Sequence, residues 1–185
     1  MENNGLKKDL ITKGESVFIN NAGVVLLYPF LSQFFYRLHL LNEGRDGFKA
    51  EASRIRAIFL IQHLVYGKTE FPEHELVLNK YLTGYKSEAP LPHSMELTEE
   101  EKEISKELLL MGLRNNWQKM KNTSVEALQQ AFLQRPGKLE YGDESRLKLT
   151  VEQKPYDLLL DTLPWSYSPI KHRWMNEIIT VKWRN

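Results

Sequence analysis

Cysteine is absent from the 185 residues of this chain. No disulfide framework and no thiolate zinc site can therefore form, which excludes stapled secreted scaffolds and zinc ribbons. A charge excess is missing as well, because 25 lysine and arginine residues balance 24 aspartate and glutamate residues. Without a broad basic field, sequence-independent binding to nucleic acid is not expected. The hydrophobic content of 42% is typical of one globular domain with a sizeable core.

A long uninterrupted hydrophobic run is also lacking. The most apolar stretch, 24–41, is about long enough to cross a bilayer, but Pro29 and Arg37 interrupt it. A buried helix is therefore favoured over a membrane-spanning one. The N-terminus has no apolar signal region after its lysine pair. Residues 1–15 are predicted to be a flexible lead-in to a single compact domain at 16–185.

The sequence patterns that carry common chemistry are missing. The chain has no GxSxG nucleophile elbow, no GxGxxG loop and no Walker-type phosphate loop. Five histidines lie far apart, and the Glu-His-Glu cluster at 73–75 cannot offer three ligands to one ion, because adjacent helical residues point about 100° apart. The sequence therefore predicts no catalytic, metal-binding or cofactor-binding residues. A small hydrolase or ligand-binding enzyme, built from residues distant in sequence, stays a minor alternative.

Helical spacing of apolar residues predicts about five helices in the first two-thirds of the chain. Pro29 suits a first helical turn, and Gly67 suits a helix end. Two capping-box patterns, 98–101 and 123–126, predict two further helix starts. Residues 85–97 contain two prolines and little periodicity, so they are predicted to form a surface loop.

The hydrophobic period changes from helical to alternating beyond Gly137. Residues 138–141 and 146–152 predict a β-hairpin, and residues 178–183 predict a last strand. Residues 16–20 are a candidate for one more strand, which would bring the two ends of the chain together. Because helices come first and strands later, the pattern predicts an α+β fold with a small antiparallel sheet near the C-terminus.

Three of the four tryptophans lie close together between Leu163 and Trp183. Aromatic rings beside basic side chains are typical of interface anchors, because they bury much area with few rotatable bonds. The alternative is that these rings simply cover the small sheet. The candidate partner-binding residues are Trp165, Tyr167, Lys171, Arg173, Trp174 and Met175. Nucleic acid is not the expected partner, since the net charge is only +1.

Four short motifs occur together in this chain: EHELVLNK, KNTSVE, FLQRPG and LPWS. They belong to a series of segments at 19–31, 72–84, 120–139, 156–175 and 180–183. In this order, and over nearly all of residues 16–185, the series resembles the C-terminal region of the tape measure proteins of bacterial contractile injection systems. The combination is much more specific than any one motif.

The resemblance implies a structural, non-enzymatic protein of a phage-tail-like machine, in which a tape measure sets the length of the inner tube. It implies partners among tube, spike, hub or baseplate proteins, no membrane insertion, and a possible homo-oligomer. The implied location is the bacterial cytoplasm during assembly, with retention in the particle left open.

Length argues against a literal ruler. A compact domain of this size has a radius of gyration of about 16 Å, too small to measure a long tube. The expected role is therefore a docking module, either as the end domain of a longer protein or as a short family member that assists assembly. A chaperone or adaptor for tube subunits or cargo, absent from the finished particle, is the alternative.

Overall fold

The computed structural model of the chain describes residues 11–86, 89–142 and 146–184, which form an α+β fold. Most of the predicted lead-in, 1–10, lies outside these ranges. Ile11 is fully buried, and its N–H donates to the hydroxyl oxygen of Tyr81 at 3.0 Å. Packing of the domain therefore begins before residue 16.

The first helical elements begin with a 3₁₀-helical segment, Ala22–Leu27, whose six residues are all buried. It leads into α1 (Tyr28–Arg37), which carries a proline in its first turn as predicted. Helix α2 (Glu51–Tyr66) ends at Gly67, and a 3₁₀ turn (Glu73–Leu76) precedes α3 (Val77–Thr83). Gly67 has a φ of 74°, in the left-handed region that favours glycine, which confirms the predicted helix end.

The capping box predicted at residues 98–101 is confirmed at the start of α4 (Glu99–Glu107). The Thr98 hydroxyl accepts from the Glu101 N–H at 3.1 Å, and the Glu101 carboxylate accepts from the Thr98 N–H at 2.9 Å. Helix α4 continues as a π-helical segment, Leu108–Arg114. The sequence therefore contains a local signal for the start of α4. It contains no such signal for the change to π-helical geometry at Leu108.

A helix starts where the second capping box was predicted, at residues 123–126, but the capping residue is Ser124 and not Thr123. Helix α5 (Val125–Leu128) is capped by Ser124, whose hydroxyl accepts from the Ala127 N–H at 3.1 Å. Either hydroxyl could serve as a cap in the sequence, but Ser124 has the extended backbone that a capping residue needs. The helix continues as a π-helical segment, Gln129–Leu133.

Four strands form one sheet in the order β1, β2, β3, β4. They are β1 (Ser16–Ile19), β2 (Gly137–Tyr141), β3 (Leu147–Val151) and β4 (Ile179–Lys182). The candidate N-terminal strand is present and pairs antiparallel with β2. Strands β2 and β3 form the predicted hairpin, although residues 143–145 of its turn lie outside the described ranges. The sheet therefore joins both ends of the chain.

The prediction of a purely antiparallel sheet is wrong, because β4 lies parallel to β3. After β3 the chain passes through a 3₁₀ helix, Pro155–Thr162, and a long irregular segment before it enters β4. A crossover of this length can return a strand in the same direction, whereas a tight turn cannot. The alternating pattern of β4 is compatible with either direction, so the sequence pattern alone does not decide it.

The inner face of the sheet packs against the helical segments to form the main core. Its buried side chains include Leu139, Leu149 and Val181. A smaller cluster of Ile58, Phe59, Leu76, Tyr85 and Leu91 includes part of the loop predicted at 85–97. Among the described residues, no helix is long and apolar enough to cross a membrane.

Candidate functional site

The segment from Leu163 to Trp183, called here the C-terminal segment, contains all six candidate partner-binding residues. Each of its three indole N–H groups donates to another part of the fold: Trp165 to the Leu26 carbonyl (2.9 Å), Trp174 to the Leu82 carbonyl (2.8 Å) and Trp183 to the Asp157 carboxylate (3.1 Å). Buried indoles usually need such a partner. The segment is therefore anchored at three separate places.

The structure places the six candidate residues at different depths. Trp174 and Met175 are buried, Trp165 and Tyr167 are half-buried, and Lys171 and Arg173 are exposed. Trp174 packs edge-to-face against Phe35 and Phe48, with ring centroids 6.0 Å and 5.5 Å away. Core packing accounts for Trp174 and Met175. The other four side chains retain exposed surface.

The two basic candidates lie on the outer side of the C-terminal segment. The Lys171 ammonium donates to the Met175 carbonyl, and the Arg173 guanidinium reaches the Gly44 carbonyl at 3.5 Å. Arg173 also lines a polar surface cavity of about 510 Å³, together with Arg54. Both cations can therefore meet an approaching partner without breaking an ion pair among the described residues.

His172 contributes no charge to this surface near neutral pH. Its ring stacks on Trp174 with centroids 4.4 Å apart and lies 4.6 Å from the Tyr28 ring. Burial lowers the pKa of His172 from 6.5 to about 4. Its Nε2 has no hydrogen-bond partner among the described residues. The histidine therefore acts as a neutral stacking ring that supports Trp174.

An apolar groove lies beside Trp165. It has a volume of about 200 Å³ and is lined mainly by Phe30, Phe34, Ile104, Leu108 and Met111, from α1 and from α4 with its π-helical continuation. Phe30 packs edge-to-face on Trp165 with ring centroids 5.0 Å apart. Met111 is 55% exposed, which is high for a large apolar side chain. Phe30 therefore links Trp165 to the groove.

An ion pair closes one side of the apolar groove. Arg37 of α1 donates to Glu107 of α4 at 3.0 Å, and this hydrogen bond lowers the pKa of the Glu107 carboxyl. Both side chains are well exposed, so the pair adds little to stability.

Two buried polar clusters have no counterpart in the sequence predictions. In one, Asn21 donates to Gln62 (3.0 Å) and Asn79 (2.6 Å), and all three are buried between the first helical elements. In the other, Arg135, just before β2, pairs with Asp157 of the 3₁₀ helix at 155–162. Arg135 lies in the FLQRPG motif, which by itself indicates only the end of a helix. The side chains of both clusters hold separate elements of the fold together.

The geometry offers little for catalysis or metal binding in the part of the chain that the structure describes. No group of three or more His, Asp or Glu side chains there is arranged to hold a metal ion. Burial lowers the pKa of His63, which lies half-buried on α2 and has no carboxylate hydrogen bond among the described contacts.

One comparison with known proteins identifies a family. No curated protein and no solved structure matches the chain. The family described as contractile injection system tape measure protein matches residues 3–183, which is nearly the whole sequence. The match covers every helix and strand given above, including the C-terminal segment. The chain therefore belongs to the contractile injection system tape measure protein family.

Proposed function

We propose that this protein is a docking module of a contractile injection system, in which the C-terminal segment and the adjoining apolar groove bind a tube, hub or baseplate protein. The observation that carries the proposal is membership of the tape measure family over residues 3–183. Members of this family are structural components, which makes this chain a structural or assembly component as well.

The surface around Trp165 supports the choice of docking site. It combines a half-buried indole with an exposed methionine and an apolar groove, and the exposed cations Lys171 and Arg173 follow Trp165 in the same segment. Interfaces of this kind are dominated by aromatic and arginine side chains at the centre of a patch. The rest of the domain supports this surface, because the three indole anchors hold the segment in place.

Binding assays with purified tube, hub and baseplate proteins of the same system test the docking site. We expect Met111→Ser and the double variant Lys171→Glu/Arg173→Glu to weaken capture of one of them by about tenfold, because each removes an exposed contact. Leu158→Ser is the matched control, since Leu158 is 58% exposed on a different element. Equal capture by all variants with an intact fold would refute the site.

A deletion strain tests the assembly role itself. Without the protein, we expect fewer particles or particles of abnormal length, because a docking component of the tube or baseplate is missing. Normal particle number and length would contradict the role. Mass spectrometry of purified particles separates the docking module from a chaperone or adaptor, because only the docking module is expected in the finished particle.

A further inference from the structure

The outward face of the sheet carries one exposed aromatic ring among lysines. The strand register places two rows of side chains across this face: Phe18, Lys138, Thr150 and Lys182 in one row, and Ser16, Glu140, Lys148 and Thr180 in the next. Phe18 is 76% exposed, the highest value among the exposed large apolar side chains of the described residues. Its neighbours Val17 and Ile19 point towards the core. The ring is therefore not needed to fill the interior.

The charge on this face is predominantly positive. It holds three lysines and one glutamate, and the glutamate pairs with Lys138 at 3.1 Å. Lys148 and Lys182 make no ion pair with any described residue. The sheet face is therefore a local basic patch on a chain whose net charge is only +1.

The two edges of the sheet differ. The outer edge of β4 is covered, because Ile170 and Ile179 exchange two backbone hydrogen bonds (2.8 Å and 3.0 Å) and the Ser168 hydroxyl accepts from the Val181 N–H at 2.9 Å. At the other edge, no described residue pairs with β1 on the side away from β2. Its sequence, SVFI, contains neither charge nor proline. Natural edge strands are usually blunted by such residues, so β1 lacks the common protection against strand addition.

We propose that β1 accepts an extended acidic segment of a partner protein as a fifth strand of the sheet. The backbone edge of β1 would supply main-chain hydrogen bonds, and Phe18 would pack on an apolar side chain of the added strand. Adjacent strands lie about 4.8 Å apart, so Lys138 on β2 is about 10 Å from an added strand and reaches an extended glutamate there. Lys148 on β3 and Lys182 on β4 lie about 14 Å and about 19 Å from the added strand, beyond a Debye length at physiological salt, so they attract an acidic segment mainly at low ionic strength. Charge complementarity therefore selects an acidic segment.

The same features favour a polypeptide over a single-stranded nucleic acid. Nucleic-acid platforms stack successive bases on several aromatic side chains, whereas this face exposes one. A strand edge is recognised through paired N–H and C=O groups, which a nucleic-acid backbone does not offer in that arrangement. This surface is separate from the C-terminal segment and the apolar groove, and the inference goes beyond the proposed docking function.

A titration of the full-length protein with defined peptides tests the proposal. The probe is a soluble ten-residue peptide that alternates glutamate with valine or threonine, and its matched control replaces every glutamate by lysine. We expect the acidic peptide alone to bind, with NMR shifts of the backbone amides concentrated at Ser16–Ile19. Binding of both peptides to the same extent, or no binding of the acidic peptide at millimolar concentration, would overturn the proposal.

Surface variants locate the binding. We expect Phe18→Ser to weaken binding of the acidic peptide by about tenfold. Lys138→Gln/Lys148→Gln should weaken it by a smaller factor, most clearly at low salt, and should reduce its salt dependence. Leu158→Ser and Lys119→Gln are the controls, because both residues are exposed outside the sheet. All changed side chains lie on the surface, and circular dichroism checks that the fold is kept. Equal affinity of Phe18→Ser and wild type would refute strand addition at β1.

Two further outcomes would assign the edge to a different occupant. A concentration-dependent dimer in sedimentation that Phe18→Ser abolishes would indicate a second copy of this chain. A DNA oligonucleotide that shifts the same amides with equal affinity would indicate a nucleic acid. Shifts confined to residues 163–183 would overturn the proposal for β1 while leaving the docking function of the C-terminal segment intact.

Discussion

Arg135 and Asp157 form a fully buried ion pair that ties three elements of the fold together. Both terminal nitrogens of the Arg135 guanidinium donate to Oδ1 of Asp157, and only 1% and 3% of the two side chains are exposed. The other carboxylate oxygen accepts from the Lys154 N–H at 2.8 Å and from the Trp183 indole at 3.1 Å. The pair therefore links the residues just before β2, the 3₁₀ helix at 155–162 and Trp183, which follows β4.

Removal of one charge from this pair should be costly. We expect Asp157→Asn to lower the free energy of unfolding by about 3 to 5 kcal/mol, because it leaves a buried guanidinium without a counter-charge. Urea denaturation at pH 7 measures the loss. Asp161→Asn is the matched control, because the Asp161 side chain in its pair with Arg184 is 65% exposed. We expect this variant to lower the free energy of unfolding by less than about 1 kcal/mol. Equal losses in the two variants would contradict the assigned role of the buried pair.

Gly84 lies where the end of α3 meets the C-terminal segment. Its φ is 68°, and a Cβ placed there would lie 2.2 Å from the carbonyl oxygen of Trp174. We expect Gly84→Ala to lower the free energy of unfolding by about 2 to 4 kcal/mol, because it adds a backbone clash to the strain of a left-handed alanine. The quantity to measure is the denaturation midpoint together with tryptophan fluorescence, which reports on Trp174.

Gly67 provides the control for this change. It has a similar φ of 74°, but a Cβ there meets nothing within 4 Å. Gly67→Ala should therefore carry only the conformational cost of about 1 kcal/mol. If the two alanine variants are equally stable, close contact between Gly84 and the C-terminal segment does not contribute to stability.

Local features of the fold were predictable from the sequence. The capping box at Thr98 and the helix end at Gly67 depend on residues a few positions apart, and the β2–β3 hairpin follows from alternation on both sides of a short turn. The direction of β4 was not predictable. Its pattern is the same in a parallel or antiparallel pair, and its direction depends on the path of the crossover from β3.

The candidate site was predictable only as a segment. The density of aromatic residues is visible in the sequence, but the depth of each ring depends on distant partners. Trp174 is buried because Phe35, Phe48 and the Leu82 carbonyl, all more than 90 residues earlier in the chain, pack against it. The ion pair of Arg135 with Asp157 spans 22 residues and two elements, with no repeating pattern to reveal it.

Of the two adjacent hydroxyl residues before α5, Thr123 and Ser124, it is Ser124 that caps the helix. Ser124 accepts a hydrogen bond from the Ala127 N–H, whereas among the described contacts the Thr123 hydroxyl donates to the Met120 sulfur at 3.8 Å. We expect Ser124→Ala to lower the free energy of unfolding by about 1 kcal/mol, since the first-turn amide loses its acceptor. Thr123→Ala should change it by less than about 0.5 kcal/mol. Chemical denaturation of both variants checks the expectation, and the reverse order of effects would place the cap at Thr123.

His172 should make stability depend on pH between its unfolded and folded pKa values. Burial lowers the pKa of His172 from 6.5 to about 4, so the unfolded chain binds its proton first as the pH falls. The stabilising contribution is therefore complete above pH 6.5 and is lost as the pH falls towards 4. We expect a loss of roughly 1.5 kcal/mol between pH 6.5 and 5.

The variant His172→Phe isolates this effect, because it keeps an aromatic ring against Trp174 and removes the titration. Its free energy of unfolding should fall less steeply between pH 6.5 and 5 than that of the wild type. His63 also has a lowered pKa and contributes in the same direction, so His63→Gln should remove a second part of the slope. Carboxyl groups with lowered pKa values, such as Glu73 and Glu101, act below their ordinary value of 4.5 and leave this window clear. A slope unchanged in His172→Phe would mean that His172 is already protonated in the folded protein near pH 5.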